Sequence, residues 1–321
     1  MTQQAAAVAT HGISHVGYRH EAFLWAGKDA FLEGTVPFVA DAAATHEPVM
    51  VALIRPRLEW VRSALGAAHA SRVTFVDMGD VGHNPARIIP AWRRFIEDNG
   101  DGARTLRGIG EPVWAGRRPA EVTECQVHEA LLNLAIGPQT PLWLRCPYEA
   151  DALDADVVDE ALRSHPHVVS AGEAHDSTSF GGLAHIRDAF ELPLAQPAAV
   201  SDDLEFTVTD LSALRSRVHR RAVAILDPER AEDLVLAVHE VAANSVDHAG
   251  GTGRLRIWRE PGAFVCEIRD RGRIQDALVG RRTPTVDQPR GRGLWLANQL
   301  CDLVQIRSAA DGTIVRISSW L

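Results

Sequence analysis

The stretch HEVAANSVDHAGG, residues 239–251, decides how the last third of this chain is read. It has no proline, is rich in Ala and Val, and ends on Gly250 and Gly251, so it predicts the end of an α-helix. Glu240, Asn244 and His248 are spaced i, i+4, i+8, which puts an acid, an amide and an imidazole on one helix face. A helix with core-like valines that commits one face to these groups points to a ligand. The plainer alternatives are a solvated face for Glu240 and Asn244, and a cation closing the helix C-terminus for His248.

The pattern extends outward from this helix. Asp227 suits its N-cap and Pro228 its first turn. DLSALRSRVHRRAVAIL before it is also helical. After it, GRLRIWRE and AFVCEIRD alternate apolar and polar residues as half-buried strands do. Asp270 ends the second strand and Gly272 opens the next loop. In PRGRGLWLANQL, glycines precede a helix, and the N–H groups of Gly291, Arg292 and Gly293 would face an anion. VQIRSA and TIVRISSW then close the chain as strands around Asp311-Gly312-Thr313. The expected fold of this part is an α+β sandwich, with helices on one face of a largely antiparallel sheet.

These segments suit a nucleotide. An Asn oxygen is a hard ligand for Mg²⁺, which takes few protein ligands besides phosphate oxygens. A Glu one turn earlier can take a proton from an attacking hydroxyl. Arg269, Arg271, Arg273, Arg281, Arg282, Arg290 and Arg292 crowd one loop region. Their guanidinium groups suit phosphate oxygens, or simply form a solvated face.

In this order the segments resemble the GHKL ATPase superfamily and, within it, the RsbW-type anti-sigma factor serine kinases. HEVAANSVDH resembles the N box, DRGRI the G1 box, and GRGLWLANQL the G2 box. The resemblance implies a GHKL (Bergerat) sandwich over residues 203–321 that binds ATP and Mg²⁺. It implies Glu240 as general base, Asn244 as Mg²⁺ ligand and Asp270 as acceptor for the adenine amino group. Gly272, Gly291 and Gly293 would be the loop glycines, with Arg292 between the last two, and Thr313 would lie beside the adenine. Ile274 departs from the pattern, standing where the family has its second G1 glycine. A β-branched residue does not readily take positive φ, so the loop hinge must differ.

The first part of the chain alternates strands and helices: EPVMVALI, RVTFVDMGD, NPARIIPAWRRFIEDN, PAEVTECQVHEALLNLAIG, PLWLRCPY and DADVVDEALRSH. This predicts an α/β layer of RecA-like, doubly wound type with a mostly parallel sheet. A P-loop is excluded. Lys28 is the only lysine, and Ala22 and Asp29 stand where the motif needs a glycine and a hydroxyl. HVGYRHEAFLWAGKDAFLEGTVPFVADA and the alternating pattern resemble the MEDS sensory domain over residues 12–191, which implies signal sensing. The seam LPLAQPAAVSDD reads as a linker over 192–202. His165, His167, His175 and His185 with Asp176 offer metal-ligand chemistry, although SHPHVVSAGEAHDSTSFGG reads as a surface loop. Asp77 and Asp80 end a strand where α/β sheets collect ligands, or they are helix-capping carboxylates.

Composition sets the class. Net charge is −9 over 321 residues, and from Asp202 onward acids and arginines balance at 17 each, so the excess lies in the first part. That argues against direct nucleic-acid binding. The four cysteines are scattered and read as buried thiols. No apolar run approaches the ~20 residues of a membrane span, and MTQQAAAVATHGISH lacks signal-peptide character, so a cytoplasmic location is expected.

By resemblance, the chain is expected to act in transcription regulation and stress response, binding a sigma factor and phosphorylating a serine of an anti-anti-sigma (STAS) protein, possible homodimers included. One alternative is a non-catalytic anti-sigma binding module with a degenerate nucleotide site. The other is a histidine kinase fragment, for which His219 and His239 are the candidate phosphoacceptors.

Overall fold

In a computed structural model, residues 17–285 and 291–321 are described. The N-terminal stretch read as lacking signal character, the first residues of the 12–191 segment and Arg290 lie outside the described residues. In chain order the elements are β1 (Arg19–Trp25), α1 (Gly27–Ala44), β2 (Val49–Leu53), α2 (Arg55–Ala70), β3 (Val73–Asp77), α3 (Met78–Val81) and α4 (Ile88–Asn99). Then come β4 (Leu106–Gly110), α5 (Pro119–Ala135), β5 (Leu142–Glu149), α6 (Ala155–Ser164), β6 (His167–Ser170), β7 (Glu173–Asp176) and α7 (Gly182–Glu191). The rest is β8 (Asp202–Thr207), α8 (Leu211–Ala222), α9 (Pro228–His248), β9 (Thr252–Glu260), β10 (Ala263–Asp270), α10 (Gly293–Leu300), β11 (Leu303–Ala309) and β12 (Gly312–Trp320). They form two compact units that interleave along the chain. The second takes Asp80–Trp92 and Arg118–Ala135 as well as Leu183–Leu321.

The first unit holds a seven-stranded sheet in the order β3-β2-β4-β5-β1-β6-β7. All its pairings are parallel except β6 with β7. Every residue of β2 is buried, as a central parallel strand requires. Phe23, Phe31, Phe38, Val51, Leu58 and Val61 pack together beside it, drawn from β1, α1, β2 and α2. The stretch read as a surface loop before α7 is in part a hairpin. Val168 and Val169 are buried in β6, and Ala171 and Gly172, at φ 49° and 81°, turn the chain into the exposed β7. Two positive φ values in a two-residue turn match the twist of the strands they join. A two-residue apolar pair is too short to show a strand period in sequence.

The second unit holds a five-stranded antiparallel sheet in the order β11-β12-β10-β9-β8. Alternation sorts its residues. Leu255, Ile257, Phe264, Cys266, Ile268, Ile306, Val315 and Ile317 face the core, where they meet Leu214 and Val218 of α8, Leu234, Val238 and Val241 of α9, and Leu294 of α10. The expected sandwich is therefore present, and all four cysteines are buried free thiols.

The other face of this sheet carries buried charge. Glu267 of β10 lies in register with Arg256 of β9 and Arg316 of β12. Burial opposes ionisation of Glu267, but hydrogen bonds from Arg269 and Arg316 outweigh it and hold the carboxyl below its usual range. Helix α5 adds Glu124, which accepts from Arg307 at 2.6 Å and from Arg281 and Gln305 at 3.4 Å each. Glu124 is 1% exposed, and Arg281 and Arg307 are 4% and 3% exposed. Burial pulls the Arg281 guanidinium below its usual range, and the Glu124 carboxylate works against that.

Two outcomes are expected. Glu124→Ala leaves two buried guanidinium groups short of their counter-charge and should cost roughly 3–5 kcal/mol in denaturant unfolding, with Glu124→Gln costing less. Because the folded Glu267 carboxyl lies below its unfolded value of about 4.3, its contribution is complete above that value and is lost as pH falls through the folded one. Glu267→Gln should therefore lower stability at neutral pH and flatten the acid limb of a stability–pH curve.

Candidate functional site

Helix α9 and strand β10 meet at Asp270, the last residue of its strand. One carboxylate oxygen, Oδ2, accepts from Ser245 Oγ of α9 at 2.6 Å, and Oδ1 accepts from the Gly272 N–H at 2.8 Å. Across the ladder Asp270 pairs with Thr313 of β12. Thr313 Oγ1 donates to the Gly272 carbonyl at 2.9 Å and lies 2.9 Å from Ser308 Oγ, which accepts from the Ile274 N–H at 2.9 Å. The loop after β10 is thus tied to both β11 and β12 before it leaves the sheet.

Glycines make these approaches possible. Gly312 has φ 134°, and a Cβ there would lie 2.1 Å from the Asp270 carbonyl oxygen. At Gly293 a Cβ would lie 2.9 Å from Glu240 Oε2 and 3.1 Å from Asn244 Nδ2. The first turn of α10 is seated directly on the Glu240 and Asn244 face of α9.

Beside this junction is a cavity of about 360 Å³ whose lining includes Asn244, Ser245, His248, Asp270, Gly272 and Thr313, with Gly291 also on its wall. Val241, Ile274, Val279, Leu294 and Val315 supply apolar walls. Six residues singled out in the sequence therefore converge: Asn244, His248, Asp270, Gly272, Gly291 and Thr313. Glu240 and Gly293 do not line the cavity but touch one another one turn of α9 away. Arg292 is exposed, and its guanidinium donates to the Thr285 carbonyl at 3.0 Å. Apolar walls with one fixed carboxylate suit a flat heterocycle that carries an amino donor, and the volume falls in the usual range for small-molecule sites. Each Asp270 oxygen already accepts one hydrogen bond and retains a lone pair for another. The residues also fit a Mg²⁺ ion, since the Asn244 amide on the cavity wall offers a hard oxygen.

Ser245 and Ser308 were missed in the sequence. A signal existed for Ser245, because Val238, Val241, Ala242 and Ser245 form the core stripe of α9. A hydroxyl in such a stripe must find a buried partner. Ile274 has ordinary backbone geometry: among the described residues only His46 and Ala171 are non-glycine residues with positive φ. Its side chain packs on the core and walls the cavity, so a fixed apolar residue stands where a glycine hinge is usual.

The other candidates sort differently. Asp77 caps the Gly79 N–H at 2.9 Å and pairs with Arg55 at 2.9 Å. Lys28 lies 4.9 Å from the centre of the Trp60 ring, a cation–π contact. His167 bonds Asp176 across the hairpin at 2.8 Å, while His165 turns inward, 0% exposed.

Comparison with known proteins gives two families on one chain. Residues 19–166 match MEDS, the MEthanogen/methylotroph, DcmR Sensory domain. Residues 204–319 match the histidine kinase-like ATPase domain. No curated relative matches the sequence. The solved structure of the RsbU and RsbW domains of Rv1364c from Mycobacterium tuberculosis is similar over 38% of this chain and 33% of its own, at 19% identity and a TM-score of 0.29. Among the described residues, no helix is long and apolar enough to cross a membrane.

Gly312→Ala should test the junction. Its Cβ would strike backbone rather than a movable side chain, at a φ that L-residues rarely adopt. Calorimetry should show a stability loss of at least about 1–3 kcal/mol, the usual cost of such strain. Gly262→Ala, at a turn outside the cavity, should leave the Asp270 junction intact.

Proposed function

With a MEDS sensory segment and a histidine kinase-like ATPase domain on one chain, we propose that the C-terminal unit binds ATP with Mg²⁺ and controls a protein partner under command of the sensory segment. The observation that carries this reading is the Asp270 carboxylate, fixed by Ser245 and Gly272 on the wall of a largely apolar cavity. Asp270 accepts the adenine amino group, and the apolar walls clasp the ring faces. Asn244 and the backbone around Gly291 meet the phosphate end. Bound Mg²⁺ supplies charge neutralisation at the phosphates. Glu240, one turn before Asn244, takes a proton from a hydroxyl of the partner.

The resemblance of the three boxes to the RsbW-type kinases supports a sigma factor and a STAS protein as partners, with a STAS serine as phosphoacceptor. The near-neutral charge of the C-terminal part fits a protein partner better than DNA. Glu124, which lies within the MEDS match, bonds Arg281 and Arg307 within the ATPase match, and this supports regulation through α5. A second reading is favoured by one feature: the apolar wall at Ile274 suits a domain that holds nucleotide and partner without turnover.

Three substitutions separate these readings. Saturating ATP should stabilise the protein by RT ln(1 + [L]/Kd), about 2.7 kcal/mol at 100 Kd. Asp270→Asn should remove most of that shift. Asn244→Ala should weaken the Mg²⁺-dependent part of binding. Glu240→Ala should bind ATP normally while transfer of labelled γ-phosphate to a STAS serine falls roughly 10²–10⁴-fold. Wild-type protein that binds ATP and transfers nothing would favour the non-catalytic module. An unchanged ATP shift in Asp270→Asn would overturn the assignment of the cavity to adenine.

A further inference from the structure

The first unit buries three metal-ligating side chains at one place in its sheet. His20 is on β1, Cys146 is on the neighbouring β5, and His165 ends α6 two residues before the β6 segment that pairs with β1 on its other side. None is more than 1% exposed. Their ligand atoms lie within 4.8 Å of one another. The His20 and His165 ring centres are 4.0 Å apart, and His20 Nε2 lies 3.5 Å from Cys146 Sγ. Tetrahedral zinc, with Zn–N about 2.0–2.1 Å and Zn–S about 2.3 Å, places its N and S ligands about 3.5 Å apart.

The tautomer of His165 points the same way. Its Nδ1 lies 2.7 Å from the Ala161 carbonyl, which can only accept, so Nδ1 carries the proton and Nε2 presents a lone pair. An imidazole oriented by Nδ1–H to a backbone carbonyl is the usual support of a metal-bound histidine. Tyr148 stands edge-on to His165 and Tyr18 stacks on His20, each at 5.7 Å between ring centres, so both rings are held in place. Buried histidines also occur in cores with no ligand role. Here two of them converge with a thiol, from β1, β5 and the end of α6, one with its tautomer already set.

We propose that His20, Cys146 and His165 bind a zinc-type transition-metal ion inside the sensory segment. Two imidazoles and a thiolate select a borderline-soft ion such as Zn²⁺ over Mg²⁺ or Ca²⁺. On binding, the Cys146 thiol gives up its proton to solvent and the sulfur becomes a thiolate ligand; no redox change is involved. The ion ties β5, β1 and the start of β6 together, so that its occupancy is a state the sheet can report. The site shares no residue with the Asp270 cavity and stands whether or not that cavity holds ATP.

The test uses the full-length protein, stripped with a chelator and titrated without nucleotide with Zn²⁺ and then with Co²⁺ as a spectroscopic stand-in. Elemental analysis should give one metal per chain, and Co²⁺ should show thiolate-to-metal charge transfer with the intense visible bands of tetrahedral geometry. Cys146→Ser should abolish the charge-transfer band. His20→Gln and His165→Gln should each weaken Zn²⁺ affinity by at least about tenfold. Circular dichroism of each variant controls for folding. Should the variants fail to fold, X-ray absorption on the wild-type zinc protein decides, with a shell of one sulfur plus imidazole nitrogens expected. A sulfur-free shell, a charge-transfer band that survives Cys146→Ser, or folded wild-type protein that takes up no stoichiometric metal would overturn the proposal.

Discussion

The Asp270 carboxylate is the constraint on which the C-terminal unit turns. Its two oxygens bind a helix hydroxyl and a loop N–H, and its backbone pairs with Thr313. Helix α9, the loop after β10 and the hairpin from β11 to β12 are therefore positioned by one residue. A half-buried carboxylate needs its oxygens satisfied, and two donors from different elements do so on the wall of the cavity. The missing Cβ of Gly312 lets β12 approach this point, and that of Gly293 lets α10 approach α9. Steric permission and electrostatic demand meet at the same junction.

On the opposite face of the same sheet, buried charge sits beside a small apolar cluster of Trp258, Ala263 and Val265. Glu267 is ringed by Arg256, Arg269 and Arg316, and Glu124 by Arg281 and Arg307. Such clusters contribute little net stability compared with an apolar core, but losing one member is costly. Glu124 ties α5 to the sheet through Arg307 and to Arg281. A shift of α5 would be felt at both through buried guanidinium groups.

In the first unit, the strand ends where α/β sheets collect ligands are closed by charge of their own. Arg57 joins Glu111 and Glu149. Burial pushes the Glu111 carboxyl up to about 8, with the Arg57 guanidinium pulling against it. The only lysine, Lys28, rests on the Trp60 ring.

The sequence by itself determined whatever depends on near neighbours. A helix repeat put Glu240, Asn244 and His248 on one face of α9. Strand alternation separated the core face of β9 and β10 from the charged one, and glycines marked the loops around the cavity. The lack of a lysine in the right setting excluded a P-loop. Tertiary structure alone decided which distant groups meet. Ser245 finds Asp270 25 residues away, and Glu124 finds Arg307 183 residues away. His165, read in sequence beside His167 and His175, joins His20 and Cys146 instead. Its local neighbours were misleading because His165 caps the end of α6 while His167 already lies in β6, and because parallel strands adjacent in a sheet can be far apart in the chain. Local periodicity assigns a residue to a face; the order of strands in the sheet, set by the packing of the whole unit, assigns its partners.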